Sequence, residues 1–296
     1  MNLTPVIGPW TFRILIVITA AVLGSCGSSP SVTNPPAEVA FRQTKRLSYD
    51  GVSVDAVIKK PAANDVDVML TFHGTVVYDS LILQAANTAL DNFDSLLVND
   101  STMMYVSVAY PEENLLLGDN VSHAEAALLW VRNKAAQELG IRVGKVFLAG
   151  HSQGGYVVTR LNTMHETDGV IASAPGPLNL VYRCGLEEDG KVASSSQCTA
   201  LREAYGTTKE NPEAYRERSL LRYTSGYKAD IFFVQGMTDS PIQLASWPLF
   251  KQNIGACANC KQVKILELEG LGHPALFVST EGKSEFNAFV GQRRAK

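Results

Sequence analysis

Six short runs of apolar and often β-branched residues constrain the fold of this chain more than any other feature. Most positions of each run are apolar, on both faces of a strand formed from it, so such a strand would be buried on both faces. The predicted strands are residues 66–72, 103–109, 145–149, 170–174, 230–235 and 263–268. Strands buried on both faces are typical of a parallel sheet with helices on either side. The sequence therefore predicts an α/β fold with a mostly parallel sheet.

Helical patterns separate the predicted strands, at residues 80–97, 122–139, 153–164, 241–254 and 282–289. Ahead of them, residues 46–49 and 52–59 flank Asp50-Gly51, a turn typical of an antiparallel hairpin. One connection, at about residues 175–228, is too long to be structureless in a compact domain. We expect it to form helices and to act as a lid, with its five tyrosines lining a site or packing the lid onto the sheet.

The N-terminal segment differs from the rest of the chain. Residues 12–24 are apolar, with Arg13 near their start, and are too short to cross a bilayer comfortably as a helix. They are typical of a secretory signal peptide. The segment ends in Leu23-Gly24-Ser25-Cys26, which resembles a bacterial lipobox, the motif in which the cysteine is lipidated and becomes the new N-terminus.

This N-terminal motif predicts the domain organisation and the location of the chain. We expect a signal peptide at residues 1–25, a flexible tether rich in Gly, Ser and Pro at residues 26–40, and a folded domain at residues 41–296. A lipid on Cys26 would hold that domain at the bacterial cell envelope, on the outer membrane or the periplasmic face. An ordinary cleaved signal and an uncleaved anchor are the alternatives.

The charge of the chain excludes some classes of partner. Its formal net charge is −3, and no long run of one sign occurs. It therefore lacks the basic surface that binding to nucleic acid or to anionic lipid requires. A small molecule or a polymer is the expected substrate.

Four cysteines would remain in the mature domain beside a lipidated Cys26, a number that suits two disulfides in an oxidising compartment. Sequence order favours Cys184 with Cys198 and Cys257 with Cys260, and the other connectivities stay open. A four-cysteine zinc site is an alternative, although only the second pair has ligand spacing. No thioredoxin-like context accompanies that pair, so a redox role is not expected.

The segment Gly150-His151-Ser152-Gln153-Gly154 matches the pattern G-x-S-x-G and lies between a predicted strand and a predicted helix. In that context the serine is exposed on a sharp turn at the carboxyl end of the sheet, where it can act as a nucleophile. We expect His151 to pack beneath this turn. A chance glycine-rich turn is the alternative.

A serine hydroxyl is a poor nucleophile until a base takes its proton, and that base is commonly a histidine oriented by a carboxylate. From about residue 44 to residue 290 the chain resembles the α/β-hydrolase family, in which the acid and then the histidine follow the serine. The resemblance implies that His273, just after the last predicted strand, is the base. It implies that Asp239, just after the preceding strand, is the acid. The small esterase and prolyl-oligopeptidase-like branches are the most similar.

The resemblance also implies two backbone amides that bind the oxyanion of the reaction intermediate. One is the amide of Gln153, directly after the nucleophile. The other comes from the loop His73-Gly74-Thr75, where Thr75 is favoured and Gly74 or Val76 is the alternative. The HGGG run of many lipases is absent. His73 is expected to support this loop.

These residues together predict a serine hydrolase that forms an acyl-enzyme on Ser152 and hydrolyses carboxylic esters. The mechanism requires no cofactor and no metal. A serine peptidase of the prolyl-oligopeptidase-like type is one alternative, and a non-catalytic binding lipoprotein of the envelope is another, because a fold does not determine a function. The expected partners are a small-molecule ester or peptide substrate and, through the lipid, a membrane, but no nucleic acid.

Overall fold

The computed structural model describes residues 39–97, 100–110 and 114–295. The predicted signal peptide, Cys26 and nearly all of the predicted tether lie outside these described residues. Lipidation of Cys26 therefore stays a prediction. Within the described residues, no helix combines the length and the apolar character needed to cross a membrane.

An eight-stranded sheet forms the centre of the described domain. Its strands are β1 (Phe41–Tyr49), β2 (Val52–Lys60), β3 (Asp65–Phe72), β4 (Met103–Ala109), β5 (Arg142–His151), β6 (Gly169–Ser173), β7 (Ile231–Gly236) and β8 (Val263–Leu268). They are ordered β1-β2-β4-β3-β5-β6-β7-β8. The pairs β1–β2 and β2–β4 are antiparallel, and all the other neighbouring pairs are parallel. A strand occupies each of the six predicted runs, so the predicted mostly parallel sheet is confirmed.

Helices cover both faces of the sheet. In the described residues the α-helices are α1 (Ile82–Asp94), α2 (Asp119–Asn133), α3 (Ala135–Leu139), α4 (Gln153–Met164), α5 (Leu180–Glu188), α6 (Ser196–Tyr205), α7 (Pro212–Arg216), α8 (Pro241–Gly255), α9 (Ala275–Val278) and α10 (Thr280–Arg294). Short 3₁₀ helices occur at Asp79–Leu81, Asn114–Leu116 and Leu220–Arg222.

The apolar strands divide their side chains between two cores. On β7, Phe233 packs in the core that also contains Trp130 of α2 and Tyr156 of α4. The adjacent Phe232 points to the other face, where it packs in the core with Phe286 of α10. Successive side chains of a strand point to opposite faces, so apolar runs such as residues 231–234 supply both cores.

One predicted helix is interrupted. The helical pattern at residues 122–139 predicts a single helix, but the structure has α2 and α3 separated by Lys134. The φ of Lys134 is −127°, outside the helical range, and its ammonium donates to the carbonyl of Ser48 on β1. The pattern of apolar residues continues across the break, which is why it does not reveal the interruption.

The connection between β6 and β7, which we call the lid segment (residues 175–228), contains α5, α6 and α7. A disulfide between Cys184 and Cys198 joins α5 to α6. A second disulfide joins Cys257 to Cys260, just after α8. The cysteines therefore pair as sequence order favours, and the zinc alternative does not describe this structure.

Candidate active site

Ser152 lies on the turn between β5 and α4, in a backbone conformation that few non-glycine residues adopt. Its φ is 57° and its ψ is −120°. Its amide donates to the Ser173 carbonyl of β6 at 2.9 Å, and its own carbonyl accepts from the Gly176 amide at 3.1 Å. These bonds hold the strained residue at the carboxyl end of the parallel strands.

The two glycines of the G-x-S-x-G pattern are required by close backbone contacts. A Cβ added to Gly150 would lie 2.1 Å from the Gly154 carbonyl oxygen, and one added to Gly154 would lie 2.1 Å from that of Phe72. No side chain can occupy such a position unless the backbone moves. The glycines therefore allow β5, α4 and the end of β3 to approach one another around Ser152.

Asp239 and His273 form a hydrogen-bonded pair from the loops that follow β7 and β8. His273 Nδ1 donates to Asp239 Oδ2 at 2.8 Å. The side chain of Asp239 is 5% exposed and that of His273 is 44% exposed, so the acid is buried beneath a histidine that reaches the cavity. The carboxylate can therefore hold the imidazole in one tautomer, with Nε2 free to accept a proton.

Two further groups bind the Asp239 carboxylate. The Gln235 side chain donates to Oδ2 at 2.9 Å, and the Ser240 amide donates to Oδ1 at 2.6 Å. Burial alone would raise the pKa of Asp239, but the hydrogen bonds from His273, Gln235 and Ser240 outweigh burial and lower that pKa below its usual value. The carboxylate is therefore charged at neutral pH.

Gln235 is a functional residue that the sequence reasoning missed. It is fully buried at the end of β7, and its side chain also lies 3.3 Å from that of Gln243 on α8, which donates to the Pro175 carbonyl. A polar residue inside an apolar strand is a signal that could have identified Gln235. No comparable signal marks Gln243, because it lies in a helix.

One cavity brings the three predicted catalytic residues together. Ser152, Asp239 and His273 all line a cavity of about 300 Å³, together with Thr75. Among the described residues, no hydrogen bond joins the Ser152 hydroxyl to His273. Such bonds are often long in proteins without substrate and tighten when substrate binds. The arrangement can therefore support nucleophilic chemistry at Ser152.

The predicted oxyanion amides lie beside Ser152. Gln153 is the first residue of α4, where backbone N–H groups have no partner within the helix. A Cβ added to Gly74 would lie 3.3 Å from the Ser152 Cβ, so the loop after β3 packs against the nucleophile. Thr75, the next residue, lines the cavity. Both predicted sources of N–H donors therefore adjoin the position where an oxyanion would form.

His73 holds the loop that carries Gly74 and Thr75. Its ring stacks on that of Tyr110, with a centroid distance of 4.0 Å, and its Nδ1 lies 2.7 Å from the Gly74 carbonyl oxygen. The Tyr110 hydroxyl donates to the His73 carbonyl. Burial lowers the pKa of His73 to about 4, although the backbone hydrogen bonds of Gly74 and Tyr110 oppose the change. His73 is therefore neutral at pH 7 and away from the cavity that Ser152 lines.

His151 packs against the catalytic histidine candidate. Its ring centroid lies 4.7 Å from that of His273 and 5.3 Å from that of Phe277. Burial and, next, the neighbouring His273 lower the pKa of His151 to about 4, against the effect of Asp239. A neutral His151 therefore supports the His273 ring without placing a second positive charge beside it.

The lid tyrosines do not line the cavity that holds Ser152. Among the described residues, the part of the lid segment that lines this cavity consists of Gly176, Pro177, Arg183 and Gln197. Tyr215 and Tyr227 are buried, and their hydroxyls donate to backbone carbonyls of the lid segment itself. Of the two interpretations that the sequence left open, packing of the lid segment is the one that describes these two tyrosines. Arg183 and Gln197 were not identified from the sequence.

The buried His73 predicts a loss of stability in mild acid. The unfolded chain protonates this histidine near pH 6.5, whereas the folded protein does so near pH 4, so between these values the unfolded state binds more protons. We expect His73 to lower the free energy of unfolding by about 2 kcal/mol between pH 7 and pH 5. Urea unfolding at both pH values measures this loss. The control variant His73→Asn keeps a donor for the Gly74 carbonyl but has no group that titrates in this range. If this variant lost as much stability between pH 7 and pH 5 as the wild-type protein, the loss could not be assigned to His73.

Comparisons with known proteins describe the family and the fold. The family profile of the alpha/beta hydrolase fold matches residues 69–239. No curated protein is significantly similar to the chain in sequence. Among solved structures, a truncated carbohydrate esterase from gut microbiota has a TM-score of 0.65 and 14% identity, over 88% of this chain and 99% of that chain.

Two further solved structures are similar. An esterase from the hyperthermophilic archaeon Pyrobaculum calidifontis has a TM-score of 0.61 and 16% identity, over 86% of this chain and 85% of that chain. An acylaminoacyl peptidase from Pyrococcus horikoshii has a TM-score of 0.59 and 16% identity, over 86% of this chain. The match spans 42% of the peptidase, less than half of its length. At these identities the similarity shows the fold alone.

Proposed function

The chain belongs to the α/β-hydrolase family, and we propose that it is a serine hydrolase of carboxylic esters that forms an acyl-enzyme on Ser152. The observation that carries this proposal is one cavity lined by a strained serine and by a histidine paired with a buried carboxylate. Gln153 directly follows that serine, and the loop that carries Thr75 packs against it. These are the parts that acyl transfer needs: a nucleophile, a base, an orienting acid and donors for an oxyanion.

The proposed reaction proceeds in two steps. Ser152 Oγ attacks the carbonyl carbon of the ester while its proton passes to His273 Nε2, and the carbonyl oxygen becomes an oxyanion bound by backbone amides. The intermediate collapses, the C–O bond to the alcohol breaks, and the alcohol leaves with the proton from Nε2. Water then gives a proton to Nε2 and attacks the acyl carbon. The bond from that carbon to Ser152 Oγ breaks, the acid leaves, and the proton passes from Nε2 back to Oγ, which restores Ser152.

Asp239 serves this cycle by orienting His273 and stabilising its cationic form. Each proton that His273 accepts leaves it briefly charged, 2.8 Å from a carboxylate that three hydrogen bonds keep ionised. An opposite charge at that distance favours the imidazolium that forms in the transition state. The buried acid therefore lowers the barrier without itself taking up the proton.

Structural neighbours favour two substrate classes, since esterases and an acylaminoacyl peptidase have similar folds. An ester loses an alcohol that needs little help to leave, whereas a peptide loses an amine that must be protonated as it departs. A site without dedicated peptide recognition therefore usually handles only the ester. Peptide hydrolysis is the second candidate function, and the peptidase neighbour is the observation that favours it.

We expect faster hydrolysis of short esters than of amides. The value of kcat/KM for 4-nitrophenyl acetate and butyrate should exceed that for the 4-nitroanilides of alanine and proline by at least about 100-fold, equivalent to about 2.7 kcal/mol of transition-state stabilisation. Both substrate types release a coloured product, so one spectrophotometric assay compares them. A faster anilide would replace the esterase proposal by the peptidase, and a protein inactive on both would favour the non-catalytic alternative.

The proposed enzyme acts at the bacterial envelope, held there by a lipid on Cys26. The apolar stretch before Leu23-Gly24-Ser25-Cys26 and the two disulfides of the folded domain both suit an exported, oxidised protein. Its substrates would then be small esters or peptides that reach the envelope.

A further inference from the structure

Two polar side chains of the lid segment line the cavity of Ser152 but have no part in the proposed mechanism. They are Arg183 on α5 and Gln197 on α6. Polar groups that converge on a cavity commonly determine how a substrate is oriented.

Gln197 is buried without a hydrogen-bond partner for its amide nitrogen. The residue is 7% exposed, and its Nε2 makes no hydrogen bond within the part of the chain that the structure describes. Leaving such a donor unpaired is unfavourable, and native structures rarely do so without a reason. A ligand oxygen in the cavity would supply the missing acceptor.

Arg183 also has donors available. Its Nε lies 3.6 Å from Glu187 Oε1, close enough for an ion pair but too far for a hydrogen bond. The two Glu187 oxygens accept instead from the amide and the hydroxyl of Ser195, at 2.9 and 2.8 Å. Glu187 therefore holds one edge of the arginine, and among the described residues no acceptor takes a hydrogen bond from the guanidinium.

The disulfide joins α5 to α6 directly beside these two residues. Arg183 directly precedes Cys184, and Gln197 directly precedes Cys198. The Cα atoms of the cysteines are 5.4 Å apart and both cysteines are fully buried. The bond therefore fixes the spacing between the helices at the point where each presents its polar side chain to the cavity.

We infer that Arg183 and Gln197 bind a second carboxylate of the substrate, so that the preferred substrates are half-esters of dicarboxylic acids. This inference rests on the proposed ester hydrolysis. A guanidinium presents paired donors that match the two oxygens of a carboxylate, and the amide of Gln197 supplies a third donor. The other carboxylates nearby are already engaged, Asp239 by His273 and Glu187 by Ser195.

Three esters of equal acyl length test this specificity: mono-4-nitrophenyl adipate, its neutral methyl ester, and 4-nitrophenyl hexanoate. We expect the wild-type protein to have the highest kcat/KM for the anionic half-ester after subtraction of the uncatalysed rate. In Arg183→Gln the ratio of kcat/KM for the half-ester to that for hexanoate should fall by about 10-fold or more, mainly through KM, because a charge-assisted bond is lost. Gln197→Leu should lower the same ratio by a smaller factor.

Arg216→Gln is the matched control, since Arg216 is an exposed arginine of the lid segment that pairs with Glu213 and does not line this cavity. It should keep the wild-type ratio. An unchanged ratio in Arg183→Gln would overturn the inference. So would an equal loss for the neutral methyl ester, because the site would then recognise a carbonyl and not a charge.

A binding measurement separates this inference from the proposed function. Ser152→Ala cannot form an acyl-enzyme, so calorimetry can follow its binding of monomethyl adipate without turnover. Binding that weakens about 10-fold with Arg183→Gln would establish the carboxylate site even if no ester is hydrolysed. If esters are hydrolysed but monomethyl adipate binds no better than methyl hexanoate, the proposed function stands and the carboxylate site is excluded.

Discussion

Ser152→Ala is expected to abolish covalent labelling by a fluorophosphonate probe and to lower the kcat for ester hydrolysis by about 10⁶-fold, as loss of the nucleophile does in the serine protease subtilisin. The probe reacts with serines that a base activates, not with serines that are merely exposed. Alanine meets the same backbone restriction as serine at a φ of 57°, so the turn should keep its shape. Labelling in a gel and steady-state hydrolysis measure the two effects.

The control for this experiment is Ser95→Ala, which removes an exposed hydroxyl at the end of α1 whose one hydrogen bond among the described residues is to the Asn92 carbonyl. It should label like the wild-type protein. Equal labelling of Ser152→Ala and the wild-type protein would show that the reactive serine lies elsewhere. A Ser152→Ala protein that unfolds at the same urea concentration as the wild-type protein would exclude misfolding as the cause of a lost signal.

The fold could be predicted from the sequence because the strands are buried on both faces. A strand such as β4, with all seven residues buried, is apolar except at Ser107, whose hydroxyl donates to the Ala86 carbonyl, and that apolar character is visible in a short window of sequence. The break between α2 and α3 could not be predicted. The break depends on Lys134 and on its hydrogen bond to Ser48, which is far away in the chain. The spacing of apolar residues along a helix does not reveal such a contact.

The positions of Ser152, Asp239 and His273 could be read from the sequence because each follows a recognisable strand. The carboxyl ends of parallel strands lie at one edge of the sheet, so residues far apart in the chain are brought to one place by topology alone. Gln153 and Thr75 could be predicted in the same way, because they lie just after β5 and β3.

The wall of the cavity could not be predicted in this way. Arg183 and Gln197 lie on helices of the lid segment, whose packing onto the sheet depends on many contacts and on a disulfide. The inferred substrate specificity depends on those positions, so the sequence indicates the reaction better than the substrate.

Asp239→Asn is expected to leave the protein folded and to lower kcat by up to about 10⁴-fold, the size of effect known for the corresponding change in a serine-protease triad. The asparagine amide would present a donor where His273 Nδ1 now finds an acceptor, so the imidazole would favour the tautomer that carries its proton on Nε2. That tautomer cannot accept the proton of Ser152. Steady-state kinetics on one ester across a range of pH, with unfolding in urea alongside, measure the effect on catalysis and on stability.

Asp55→Asn provides the matched control, because Asp55 is an exposed aspartate of β2 that pairs with Arg46 away from the cavity. It should retain the wild-type kcat. The loss in Asp239→Asn should appear in kcat far more than in KM, since the orienting hydrogen bond acts on the base and does not contact the substrate. A fully active Asp239→Asn protein would mean that another carboxylate orients His273. Because Asp239 is the only carboxylate that the structure places within hydrogen-bond distance of His273 among the described residues, such a result would require the loops after β7 and β8 to rearrange.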